Sequence, residues 1–214
     1  MESSKLKELD AYYNNILALG ETSFIYEDFE ISKTKDGEWL LVKHIDNKFN
    51  NSPTIEIPNF IKIIGKDAFH GYDKFFRTLV IPEGVVKIEM SAFRDCNLRV
   101  VSLPETLEEI EGWAFAYCNL NELFIPDNVK EIGKRAFFTN YNLRKISLPS
   151  GIRLGEEVFS HCGNSYTESY LGFDVRKNPS NSEEQPYINC TPDDFSHSAF
   201  REKARKCMLK LRRN

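Results

Sequence analysis

A phenylalanine recurs on a fixed beat through the middle of the chain: Phe69, Phe93, Phe115, Phe137 and Phe159, separated by 24, 22, 22 and 22 residues. Four of the five follow an alanine, as in Ala92-Phe93. Self-similarity at this period marks a solenoid, in which no unit buries its apolar side alone and stacked neighbours share one core.

Aligning the units on their phenylalanines brings out further columns. Five residues before each Phe stand Ile64, Ile88, Ile110, Ile132 and Leu154. Eight before stand Ile61, Val85, Leu107, Val129 and, breaking the pattern, Gly151. Three after stand Tyr72, Cys96, Cys118, Asn140 and Cys162. A proline closes each alternating apolar segment, as Pro104 closes Val101-Ser-Leu103 and Pro126 closes Leu123-Phe-Ile125. Alternation with branched residues predicts a short strand, and proline ends the ladder because it has no N–H to donate. A second short strand is expected at positions such as Val129-Lys-Glu-Ile132, and a tight helical turn carrying each Ala-Phe pair.

The string from Leu98 to Cys118, with its Ser-Leu-Pro-Glu-Thr-Leu-Glu-Glu-Ile-Glu-Gly-Trp-Ala-Phe core, resembles the BspA-like class of leucine-rich repeats. The likeness runs from roughly Ile55 to Cys162 and covers all five units. Gly65, Gly133 and Gly155 keep the Ile-Gly step of that class, whereas Glu89 and Glu111 replace it. The last unit has lost one residue before Leu154. The resemblance implies a β-dominated α/β leucine-rich-repeat solenoid whose members are mostly surface or secreted binding modules.

The flanks read differently. Leu6, Leu9, Tyr13, Ile16 and Leu17 share one helical face, ended by Gly20. Phe29-Glu-Ile-Ser-Lys-Thr and Trp39-Leu-Leu-Val-Lys-His flank an Asp36-Gly37 turn, a hairpin signal. Residues 1–52 are therefore expected to form a helix and β-hairpin cap, and 53–165 the solenoid. Residues 166–214 are expected to form a polar linker and a basic C-terminal helix, with Phe200, Ala204, Cys207, Met208 and Leu211 on one face.

Charge is unevenly placed. From Ala199 to the C-terminus seven Lys or Arg face one Glu, so the tail carries +6 and the rest of a chain of net charge −4 carries −10. No signal-like segment opens the sequence, no run spans a bilayer, and five cysteines are an odd number. These features point to a cytoplasmic setting with reduced thiols. Stacked side chains of Cys96 and Cys118 point in parallel, which disfavours a disulfide between them. No nucleotide loop, zinc spacing or nucleophile elbow is present, and no two of the four histidines are spaced to share a metal. Cys190, Asp193, Asp194 and His197 form the best polar cluster, which reads as a loop before a helix. The reading is of a protein that is no enzyme, with no cofactor, metal, membrane span or small-molecule substrate.

Function is expected on residues that the repeat does not require. With Val101 and Leu103 inward, alternation turns one column, Thr78, Val100, Glu122 and Lys145, to solvent. A second outward column is Val80, Ser102, Phe124 and Ser147, and Arg77, Arg99 and Arg144 stand where the strands begin, their facing left open. An apolar patch rimmed by Arg and Lys suits a protein partner. The alternative is an adaptor or inhibitor of a nucleic-acid-handling complex, phage- or mobile-element-encoded like an anti-CRISPR. It would work through the tail residues Lys203, Arg205, Lys206, Lys210, Arg212 and Arg213.

Overall fold

The computed structural model describes residues 2–45, 55–72 and 77–163. The linker, the C-terminal helix and all six tail residues named above lie outside the described residues.

The chain opens with helix α1, Glu2–Ala18. Its apolar stripe lands as expected on Leu9 and Tyr13, both buried, while Leu17 is left 45% exposed. Gly20, at φ 88°, closes the helix: its N–H donates to Leu17 O and the N–H of Glu21 donates to Ile16 O. This double bond across a left-handed glycine satisfies carbonyls that the helix end would otherwise orphan.

Three antiparallel strands follow: β1 (Ser23–Tyr26), β2 (Phe29–Lys33) and β3 (Trp39–His44). The hairpin predicted around Gly37 is β2–β3; β1 is an addition, turned into β2 through Glu27 at φ 56°. Tyr13 ties the helix to this meander, packing edge-on against Trp39 at 5.6 Å, while Lys33 Nζ reaches Asp10 at 2.5 Å.

Beyond the cap each unit contributes two short strands. The first kind comprises β5 (Thr78–Val80), β7 (Val100–Ser102), β9 (Glu122–Phe124) and β11 (Lys145–Ser147). The second comprises β4 (Ile63–Ile64), β6 (Lys87–Ile88), β8 (Glu109–Ile110), β10 (Glu131–Ile132) and β12 (Arg153–Leu154). The second kind stacks in parallel register behind the cap, giving one sheet ordered β1-β2-β3-β4-β6-β8-β10-β12. Leu41 of the cap thereby opposes Ile64, and Ile64 opposes Ile88, so cap and repeats share one ladder. The first kind pairs as β5–β7 and β9–β11.

The expected tight helical turn around each Ala-Phe is not what forms; among the described residues α1 is the only helix. Asp67, Ser91, Trp113, Arg135 and Glu157, two before each Phe, all have φ between 55° and 62°. Left-handed residues break any helical run after one turn. They also aim alternate N–H groups at the next unit: Phe69, Phe93, Phe115 and Phe137 donate to the carbonyls of Ala92, Ala114, Ala136 and Val158 at 2.7–3.0 Å. The turns are thus a third stacked face of the solenoid.

Inside, the phenylalanines form a continuous stack, with successive centroids 4.8, 5.0, 5.3 and 5.5 Å apart and planes within 16°. His44 of the cap extends it, stacked on Phe69 at 5.4 Å. In the column three after each Phe, four of the five residues share one task, the exception being Tyr72. Cys96, Cys118 and Cys162 donate from Sγ to the carbonyls of Phe69, Phe93 and Phe137. Asn140 donates from Nδ2 to Phe115 O at 2.9 Å and to Phe137 O at 2.8 Å, and accepts from Leu120 N–H. These three cysteines are free and buried, and no disulfide joins Cys96 to Cys118.

Gly151 interrupts a column in sequence but not in space. It is exposed at φ 73°, and Ile152, only 4% exposed, takes the buried place, which absorbs the missing residue. Gly133 is required: a Cβ there would lie 2.4 Å from the backbone N of Gly112. Glu89 and Glu111, in the same column, earn their place by accepting the N–H of Lys66 and Met90 from the preceding unit.

Candidate functional site

The predicted sheet face forms only in part. Val80, Val100 and Phe124 are half-buried, whereas Arg77, Arg99 and Arg144 are exposed. Glu122 and Lys145, opposed in register, make a 4.0 Å ion pair. Thr78 and Ser102, expected to face solvent, are instead 4% and 0% exposed. Residue size does not account for this, since Thr78 is buried where its isostere Val100 is half-buried, and Ser102 is buried where Ser147 is half-buried. The surface offered by this face is therefore narrower than alternation implies. It consists of three apolar side chains, one ion pair and an arginine at three of the strand starts.

The turn face carries a cluster that sequence reading passed over. Trp113 and Phe138 lie 5.6 Å apart, Tyr117 and Phe138 5.7 Å, and Trp113 runs nearly parallel to Tyr117 at 6.3 Å. Two guanidinium groups cover Trp113: Arg94 from the preceding turn at 5.2 Å and Arg135 from the following turn at 5.1 Å. Arg94 also lies over Tyr117, and Arg135 over Phe138. Glu157 bonds Arg135 through its Nε, whereas Asp95 only lies 3.3 Å from Arg94 Nε, which is buried and makes no hydrogen bond. Ala116 is fully buried in the same turns, between the buried Phe115 and the exposed Tyr117. A signal did exist for this cluster: Trp113, Tyr117 and Phe138 are aromatics at positions where other units hold Ser91, Asp95 or Ser160.

Chemistry of the catalytic kind finds little support. Burial pushes the Cys118 thiol well up, and Cys162 is raised to about 12 by its desolvation, so both are inert as nucleophiles at neutral pH. Among the described residues no group of three His, Cys, Asp or Glu is placed to hold a metal. Among them also, no helix is long and apolar enough to cross a membrane. An open cleft of about 420 Å³ lies between α1 and the start of the solenoid, lined by Lys5, Leu6, Tyr26, Glu27 and Phe60 among others. Its walls mix apolar and charged groups, and a hydrogen bond to Tyr26 raises the Lys5 ammonium above its usual range.

Comparison with known proteins agrees with this geometry. A leucine-rich repeat protein from Bacteroides ovatus is 30% identical, with 66% of this chain and 36% of that one covered and a TM-score of 0.50. The pneumococcal vaccine antigen PcpA is also 30% identical, covering 63% of this chain and 34% of its own, with a TM-score of 0.51. A leucine rich cell surface protein from Faecalibacterium prausnitzii, 22% identical, shares the fold at a TM-score of 0.60 over 77% of this chain and 44% of that one. The chain thus spans about a third of the length of the first two. No curated protein matches it. The family described as BspA type leucine rich repeat region matches residues 62–177, more than half of the sequence, and the chain belongs to that family.

Proposed function

We propose that the protein is a non-enzymatic interaction module that binds a partner protein with the exposed face of β5, β7, β9 and β11. The observation that carries this reading is the placement of Val80, Val100 and Phe124. All three are partly open to water in a solenoid whose core is complete without them. Solenoids present extended surfaces of this kind to their ligands. Apolar burial around Phe124 would supply affinity, with Arg77, Arg99 and Arg144 and the Glu122–Lys145 pair setting orientation.

Affinity capture from the native host tests the assignment. V100A/F124A should lose most of the captured partner while the thermal melt shifts by less than about 1 kcal/mol, as for a surface change. Equal capture by the double variant would remove this face from consideration. The three buried, free cysteines support a reduced, cytoplasmic setting, which fractionation of the host checks.

A further inference from the structure

Trp113 and Tyr117 stand where the fold does not ask for them. Left-handed positions favour Gly, Asn and Asp, and a bulky side chain there strains the backbone. Trp113 has φ 62° and Tyr117 has φ 57°. Neither ring is in the core: Trp113 is half-buried and Tyr117 is 39% exposed. The corresponding positions of other units hold Asp67, Ser91 and Glu157, or Gly71, Asp95 and His161, and the backbone ladder forms there equally well.

The arginines beside them are pre-set for an anion. Aromatic rings hold both guanidinium planes, so fixing them in a complex costs little further side-chain freedom. Glu157 bonds Arg135 at Nε, and Asp95 lies 3.3 Å from the buried, unbonded Nε of Arg94. Among the described residues no acceptor meets the terminal Nη atoms of Arg94 or Arg135. An open Nη edge offers two parallel N–H groups, the geometry that matches the two oxygens of a carboxylate.

Arg94 belongs to the second turn and Arg135 to the fourth, two stacking intervals apart, which is about 10 Å at the usual ladder spacing. A polyproline II segment advances about 3.1 Å per residue with three residues per turn, so side chains at i and i+3 point the same way about 9 Å apart. We propose that the turn face of the second to fourth repeats docks an acidic peptide of the form Glu-x-x-Glu. Its two carboxylates sit on the Nη edges of Arg94 and Arg135, and an apolar side chain between them rests against the exposed Tyr117 ring. This site lies on a different face from the sheet surface and does not depend on that assignment.

Fluorescence anisotropy of the full chain with a labelled Gly-Glu-Leu-Pro-Glu-Gly peptide tests it. Saturable binding is expected, at least tenfold weaker for the peptide with Gln in place of both Glu, and at least tenfold weaker for R94Q/R135Q. R94K/R135K, which keeps charge but loses the planar edge, should fall between. V100A/F124A should bind the peptide as the native chain does, which separates this site from the sheet face. Equal binding of the Gln peptide, or no binding below millimolar concentration, overturns the proposal and needs no variant to fold. Tighter binding of a phosphoserine peptide or of an oligothymidylate overturns the carboxylate assignment in favour of phosphate.

Discussion

Two columns of the same turns behave in opposite ways. Phe69, Phe93, Phe115, Phe137 and Phe159 are uniform, at most 5% exposed and stacked. Two residues earlier the column reads Asp67, Ser91, Trp113, Arg135, Glu157, with no common chemistry but one common backbone geometry. Buried positions share a single environment, because each ring is the floor of the next, so one residue type satisfies all of them. Positions two residues away share only a dihedral angle. Burial varies along it, from the exposed Asp67 and Glu157 through the half-buried Trp113 and Arg135 to the buried Ser91, so no single side chain is imposed and each can answer to something other than folding.

That contrast can be broken by experiment. The largest effect is expected from Phe115→Ala, which empties the middle of the stack and should cost about 3–5 kcal/mol in chemical denaturation. If Trp113→Ala costs as much, the left-handed column is structural after all and the contrast fails. Next comes Asn140→Ala, which strands the Leu120 N–H and the Phe115 carbonyl in a dry interior, at about 2–3 kcal/mol. Asn140→Cys should recover part of this loss, since a thiol at this position elsewhere reaches the same class of carbonyl. Gly133→Ala should cost about 1–3 kcal/mol, because its Cβ meets backbone, which cannot yield as a side chain would.

A pH series sharpens the buried side of the comparison. The Cys162 thiol sits at about 12 in the folded protein against an ordinary 9.0, because burial disfavours its thiolate. A raised value means that the folded state holds its proton longer than the unfolded state does. Its contribution to stability is therefore complete below pH 9 and is lost as pH rises toward 12. Cys162→Ala should flatten that part of the profile, and native-state alkylation of Cys162 at pH 8 should be slow until the chain unfolds. The smallest effect is expected at the half-buried Trp113 of the left-handed column. Trp113→Asn relieves the left-handed strain and loses two cation–π contacts, so the melt should move by less than about 1 kcal/mol.

The spine, the paired short strands, the α1 stripe and the hairpin around Gly37 were legible in sequence because each rests on periodicity or on turn chemistry that acts over a few residues. Strand β1 was not, since Ser23-Phe-Ile-Tyr26 is short and its turn uses Glu27 and Asp28 where glycine would have signalled it. Thr78 and Ser102 were misplaced for a different reason. Alternation tells which way a side chain points within its strand, whereas exposure depends on what the neighbouring units lay over it, which differs between Thr78 and Val100 and between Ser102 and Ser147. Cys96, Cys118 and Cys162 are the reduced thiols that the sequence implied, and with Asn140 they form a series of donors to phenylalanine carbonyls that only the stacked backbones reveal.

What the sequence determines by itself is the repeat: its period, its buried column, and the strands on either side, all consequences of local pattern summed over five units. Tertiary structure decided how the units meet. It made each left-handed turn a ladder to the next, joined the cap to the same sheet through Leu41 and Ile64, and drew Arg94, Trp113 and Arg135 from three successive turns into one cluster. The physical reason is that stacking converts a separation of about 22 residues along the chain into about 5 Å in space, so side chains unrelated in local sequence become nearest neighbours.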